Sequence, residues 1–275
     1  MPASGFQDVS NGPRFRNEKK LLLSLLASPD WHDRFLQGLF SSENSIEAQA
    51  LLAKQRVNPL LAMLLRAELR YQAAICLGDA MALCAEHDRE FARNIMRRLM
   101  WSLNEESGNL GWGSPEAFGA IVSASLMLRQ EFERMLASYI MDTGKADNYI
   151  DHAPLRLGAY WAVGHAAGTR TAAWFQMLPW LLKNLDPQHE SDIACSTMCL
   201  WTLARTAERA RELGEKPGLQ DAPLWNRLEA ALKTPDPLAG QPVEDVSVDV
   251  FEQGEITAMF RTGLRERALK AVQGV

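Results

Sequence analysis

Residues 69–78 read LRYQAAICLG, and residues 155–164 read LRLGAYWAVG. Leu, Arg, Ala and Gly recur at the same four positions, at an offset of 86 residues. That offset is about two periods of the ~40–47 residues typical of helical-pair repeats. The small residues predict helices that approach one another closely, so that stacked helix pairs share one core. The sequence therefore predicts a repeated helical architecture.

Helical periodicity extends over most of the chain. A second alignment, at an offset of 40 residues, pairs 159–164 (AYWAVG) with 199–204 (CLWTLA). Valines alternate with polar residues only over 246–250, which predicts at most one short strand. Apolar spacing and helix-start signals predict helices near 17–27, 30–40, 45–55, 59–86, 88–105, 115–141, 154–167, 170–185, 190–213, 223–233 and 254–272.

These repeats resemble the HEAT-like or armadillo-type superfamily of α-solenoids, which includes phycobilin-lyase-type repeats. The resemblance is clearest over 155–207 and next clearest over 60–103. It implies an all-α fold, a right-handed α-α superhelix of stacked HEAT-like helical hairpins. Its concave face would bind protein, peptide or nucleic acid.

The expected organisation has four parts. An N-terminal arm (1–16) precedes a helical repeat domain (17–233). An acidic linker (234–253) then leads to a C-terminal helix (254–275) that packs back on the solenoid. Residues 235–256 contain six acids and no base, whereas the stretch from 257 onward carries a net charge of +3.

The composition, with 47% hydrophobic residues and a net charge of −5, excludes a mostly disordered chain. The negative charge is unfavourable for general binding of nucleic acid. No apolar run approaches the ~20 residues that cross a bilayer, so we expect no membrane association. No secretory signal is visible, and the four cysteines form no Cys-x-x-Cys pair. We therefore expect reduced thiols and a cytoplasmic location.

The densest motif is WSLNEESGNLGWGSPE, at residues 101–116. One interpretation is a ligand-facing loop that offers carboxylates, an amide and two aromatic faces. The other is a structural connector between repeats, in which Trp112 fills the core. With an arginine of the repeated pattern, the candidate partner-binding residues are Trp101, Asn104, Glu105, Glu106, Trp112, Glu116 and Arg156.

No catalytic constellation, cofactor motif or metal-ligand cluster is apparent, so we predict no catalytic, cofactor-binding or metal-binding residues. The favoured interpretation is a scaffold protein that recognises a protein or peptide on its concave face; whether it is an enzyme stays open. One alternative is a DNA-binding protein or one resembling the alkylation-repair glycosylases, whose cleft is lined by Trp, an acid and Arg. Another is a chromophore-handling protein similar to phycobilin lyases. The oligomeric state is not predicted.

Overall fold

The computed structural model describes residues 13–41, 45–104, 111–144, 148–167, 172–213, 222–238 and 246–274, without the side chains of 104 and 172–176. This part of the chain is mostly helical, as the sequence predicts. The helices are α1 (Pro13–Leu26), α2 (Trp31–Leu39), α3 (Ile46–Met63), α4 (Arg70–His87), α5 (Arg89–Asn104), α6 (Ser114–Ala124), α7 (Leu126–Ser138), α8 (Ala153–Ala166), α9 (Ala172–Lys183), α10 (Ile193–Glu212), α11 (Ala222–Lys233) and α12 (Arg261–Gln273).

Several helix boundaries differ from the sequence prediction. Helix α3 continues through Pro59, and the chain turns through a short 3-10 helix, Ala67–Leu69, before α4 begins. The predicted helix over 115–141 is divided at Ser125, whose backbone is extended and whose hydroxyl accepts a hydrogen bond from the Leu128 N–H at 3.3 Å. A serine that caps a new helix in this way ends the preceding one.

Four helices form a row in which each packs against the next: α4 against α6, α6 against α8, and α8 against α10. Helix α3 packs on α4 at one end of the row, and α12 packs on α10 at the other. The intervening helices α5, α7 and α9 make smaller contacts with the row. The order of contacts thus follows the order of the helices in the sequence.

Glycines bring neighbouring helices of the row close together. A Cβ atom added at Gly78 would lie 2.7 Å from the Ala120 carbonyl oxygen, and one at Gly119 would lie 2.6 Å from the Ala162 Cα. At Gly164 it would lie 2.5 Å from the Trp201 ring. Gly78 and Gly164 belong to the repeated sequence pattern, which therefore marks real helix contacts.

The C-terminal region corrects the prediction of at most one strand. Strands β1 (Ser247–Glu252) and β2 (Glu255–Phe260) form an antiparallel hairpin, so the last helix begins at Arg261 rather than near 254. The turn residues Gln253 and Gly254 have φ values of 55° and 91°, which is the arrangement of a type I′ hairpin turn. Such a turn interrupts the helical continuation that the sequence suggested.

The hairpin is attached to the row through Phe251. Its ring stacks on Tyr71 of α4, with 5.2 Å between ring centroids, and its carbonyl accepts a 2.9 Å hydrogen bond from the indole N–H of Trp161 in α8. The buried valines of β1, Val248 and Val250, belong to the same continuous apolar core as the row helices. No helix in the described ranges is long and apolar enough to cross a membrane.

Candidate functional site

The structure separates the residues of the predicted 101–116 motif. Trp101, on α5, is 71% exposed, whereas Trp112 is half-buried and packs against the core. The Trp112 ring contacts His152 edge to face, with 5.7 Å between centroids. Glu105 and Glu106 lie outside the described residues, as does the side chain of Asn104, the last residue of α5.

Glu116 lies in the first turn of α6 and is only 4% exposed. The Arg70 guanidinium lies 3.8 Å from its carboxylate and 5.8 Å from the Trp112 ring centroid. A Cβ at position 158 would approach the carboxyl carbon to 2.8 Å, so Gly158 provides the space for this side chain. Burial raises the pKa of the Glu116 carboxyl, against the lowering effects of its own backbone N–H and of Arg70.

Arg156 is 5% exposed and is fully committed to structural contacts. Its guanidinium donates two 2.8 Å hydrogen bonds to the Glu190 carboxylate and two more to the carbonyls of Ile150 and Asp151. The pair ties α8 to the segment that precedes α10. Arg156 is thus placed where it holds helices together, and partner binding by the 101–116 motif stays a prediction.

A cleft that contains none of the residues of the 101–116 motif has the geometry of a binding site. A cleft of about 580 Å³ lies where the start of α2, the row helices and the tip of the hairpin meet. Its lining comprises Pro29, Asp30, Trp31, His32, Asp33, Ile75, His165, Trp201, Arg205, Phe251, Glu252, Gln253, Gly254 and Glu255. We refer to this feature as the hairpin cleft.

Three aromatic side chains give the hairpin cleft a fixed apolar wall. Trp31, Trp201 and Phe251 are each less than 9% exposed. Trp31 and Phe251 contact each other with 6.3 Å between ring centroids. Because these rings are packed into the core, the aromatic wall is preformed, and binding would not need to order it.

The hairpin tip is held by a charged network that includes the lining residues Arg205 and Glu252. Arg267 of α12 donates two hydrogen bonds of 2.7 and 2.8 Å to Glu252 and two of 2.7 and 2.9 Å to Glu208 of α10. Arg205 lies 3.4 Å from Glu252, and the Trp201 indole N–H donates to the same carboxylate at 3.4 Å. Arg267 and Arg205 lower the pKa of Glu252 against the effect of burial.

Two histidines line the cleft with opposite titration behaviour. His32 Nε2 lies 2.9 Å from the Asp79 carboxylate, and this hydrogen bond raises the His32 pKa. His165 stacks on Trp161, with 4.7 Å between ring centroids. Burial, and to a lesser extent Arg205, lowers the His165 pKa to about 4, so this ring is neutral at pH 7.

The exposed rim of the hairpin cleft is acidic. Asp30, Asp33 and Glu255 are all exposed. Asp30 has a distant partner in Arg34 at 3.8 Å, whereas Asp33 and Glu255 form no salt bridge with another described residue. The arginine of the lining, Arg205, is already shared between Glu208 and Glu252. The rim therefore attracts cations and repels anions.

Metal and thiol chemistry find no support in the described ranges. These contain no group of three or more His, Cys, Asp or Glu side chains that could hold a metal ion. All four cysteines are buried and unpaired, and burial raises the pKa of each thiol. They fit the role of small core residues.

Sequence reasoning missed the hairpin cleft because its walls come from five segments that are distant in the sequence. One local signal was available: Gln253-Gly254 stands between the alternating valines of 246–250 and the residues Ile256-Thr257. A two-residue turn flanked by β-branched residues is typical of a hairpin.

Comparisons with known proteins identify no relatives: no family model, no curated protein and no solved structure matches this chain. The resemblance to HEAT-like repeats stays a prediction, and the hairpin cleft has to be interpreted from its own chemistry.

Proposed function

We propose that this protein is a HEAT-like helical-repeat binding protein that recognises a basic segment of a protein partner in the hairpin cleft. One observation carries the proposal: the cleft joins a buried aromatic wall to an exposed acidic rim, on which Asp33 and Glu255 form no salt bridge with another described residue. No catalytic step is required for this role.

The chemistry of the cleft matches a lysine or arginine side chain. Acids on the rim raise the local concentration of cations, and the aromatic wall beside them offers an apolar surface to the methylene groups of such a side chain. A volume of about 580 Å³ is within the range of small-ligand pockets, so it has room for a short peptide segment beside the cation.

The arrangement of the helices supports the repeat architecture in this proposal. Serial packing of α4, α6, α8 and α10, with glycines at the contacts, is what stacked helical repeats require. Ile75, His165 and Trp201 place the cleft against three of these helices, α4, α8 and α10. In a superhelix, this would be the face that receives the partner.

The test measures binding of a fluorescent tri-arginine peptide by anisotropy at low salt. The double variant Asp33→Asn/Glu255→Gln should bind about threefold to tenfold more weakly, because two rim charges are lost. A matched control, Glu86→Gln, removes an exposed acid of α4 outside the cleft and should bind as the wild type does. Equal binding by all three proteins would refute the role of the rim.

A nucleic-acid partner is the alternative with a direct test. Arg89 and Arg93 could contact phosphates, but both donate to Glu131 on α7 in the structure. We expect no retention of duplex DNA in a gel shift at low salt. Tight retention that weakens steeply with salt would favour the DNA-binding alternative over the peptide.

A further inference from the structure

The hairpin has one hydrogen-bonding edge that no other described residue occupies. In a two-residue hairpin loop, the residues that flank the loop, Glu252 and Glu255, form a hydrogen-bonded pair, and such pairs then alternate along the ladder. Strand β2 therefore directs the backbone groups of Thr257 and Met259 toward β1. The Arg261 N–H, which donates to the Val246 carbonyl at 2.9 Å, fits the same alternation.

It follows that the N–H and C=O groups of Ile256 and Ala258 point away from β1. Among the described residues the sheet has two strands, and no helix or loop of this part of the chain supplies a hydrogen-bond partner to these groups. Residues 253–258 are all exposed. The outer edge of β2 is thus open to another extended chain.

This edge lacks the features by which proteins usually prevent strand pairing. Strand β2 reads EITAMF, without lysine or proline, and its register with β1 is regular, without a bulge. Ile256, Ala258 and Phe260 share one face. Ile256 is 45% exposed and Phe260 is 52% exposed, so this face is an exposed apolar strip.

We propose that the partner binds as an extended peptide that adds a third strand to the outer edge of β2. The inference rests on the proposed function, and it specifies the conformation of the partner. Its main chain would bond to Ile256 and Ala258, and alternate apolar side chains would lie beside the apolar strip.

The negative charge of the cleft rim, and the position of this rim at the start of β2, favour a basic peptide as the third strand. Strand β2 begins at Glu255, which also lies on the rim of the hairpin cleft. A peptide paired with β2 therefore has one end beside Glu255, at the rim of the cleft. A lysine or arginine at that end would enter the acidic rim while the rest of the peptide stays on the strand.

The experiment selects a random twelve-residue peptide display library on the wild-type protein and then measures the affinity of a selected peptide by anisotropy. We expect alternating apolar residues with a basic residue at one end. The variant Ala258→Pro removes an outward N–H and keeps the inward hydrogen bonds of the hairpin, because proline is tolerated on such an edge. It should bind about tenfold more weakly, whereas the control Ala258→Val should not.

A second measurement leaves the protein unchanged. The selected peptide is methylated on alternate backbone nitrogens, in each of the two possible phases. One phase should lose binding about tenfold or more and the other should keep it, since only one set of N–H groups faces β2. Equal affinities of both phases would overturn strand addition even if Ala258→Pro failed to fold.

The outcomes separate the two proposals. Binding that survives Ala258→Pro and both methylations but is lost in Asp33→Asn/Glu255→Gln keeps the cleft and overturns strand addition. Binding that is lost in Ala258→Pro and in one methylation phase but survives Asp33→Asn/Glu255→Gln keeps strand addition and refutes the role of the cleft. Selection of no peptide refutes both. A wild-type dimer that Ala258→Pro converts to a monomer in sedimentation would make a second copy the occupant, against the proposal.

Discussion

Replacement of Gly119 by alanine tests the close packing of the helix row. An added Cβ would lie 2.5 Å from the Cβ, 2.6 Å from the Cα and 2.7 Å from the carbonyl oxygen of Ala162. Two of these three atoms belong to the backbone of α8, so no side-chain rotation relieves the contact. Helices α6 and α8 would have to separate, and α6 also packs closely on α4 through Gly78.

Two opposing effects set the change in unfolding free energy of Gly119→Ala. Alanine is favoured over glycine in a helix by about 1 kcal/mol, which works in favour of the variant. An extra methyl group in a close-packed core costs about 1–3 kcal/mol, and more where the backbone has to move. Because the neighbours are backbone atoms on a helix held from both sides, we expect the steric cost to exceed the helical gain. The variant should lose about 2 kcal/mol of unfolding free energy.

The matched control is Gly263→Ala in α12, where an added Cβ meets no atom within 4 Å. It should gain about 0.5–1 kcal/mol, because only the helical preference acts there. Urea unfolding followed by circular dichroism measures both variants. If Gly119→Ala were as stable as Gly263→Ala, the inferred helix contact would be wrong. Adding Ala162→Gly should restore Gly119→Ala only in part, since the Cα and carbonyl contacts remain.

Three further predictions concern buried groups. Arg156→Ala should lose about 3 kcal/mol or more in urea unfolding, because Glu190 would stay buried without its cation; a loss below 1 kcal/mol would contradict this. His165 has a pKa of about 4 in the fold and about 6.5 when unfolded, so the free energy of unfolding should fall as the pH drops from 6.5 to 4. The variant His165→Gln should flatten this part of the stability profile. A His165 pKa near 6.5, measured in the folded protein by NMR, would contradict this prediction. Phe251→Ala should cost about 3–5 kcal/mol, and Phe260→Ala, on the exposed face of the same hairpin, should stay within about 0.5 kcal/mol. Similar losses in both would show that the ring of Phe251 does not anchor the hairpin.

Local periodicity was sufficient to predict most of the helices and two of the glycines at their close contacts, Gly78 and Gly164. The repeated pattern ends in Gly78 and Gly164 because a larger residue at these positions would keep the helix from approaching its neighbour so closely. The division at Ser125 was missed because the apolar spacing continues across it. A single capping hydroxyl decides that boundary, and periodicity does not detect it.

The hairpin cleft was harder to predict because its parts meet only in the tertiary structure. Arg156 looked like a ligand contact in the sequence, yet Glu190, 34 residues later, completes its hydrogen bonds. Trp31 and Phe251 carry no shared local pattern, although they form one wall of the cleft. Sequence spacing reports neighbours on one helix, whereas this cleft depends on contacts between distant segments.

The position of the hairpin in the chain has a consequence for the order of folding. A ribosome makes α4, α6, α8 and α10 before it makes Phe251, which lies 90 residues after its hydrogen-bond donor Trp161. The row can form from contacts between successive helices, while its aromatic surface waits for a segment that is synthesised later. During that interval, Tyr71 and Trp161 lack the contacts that Phe251 makes with them in the complete fold.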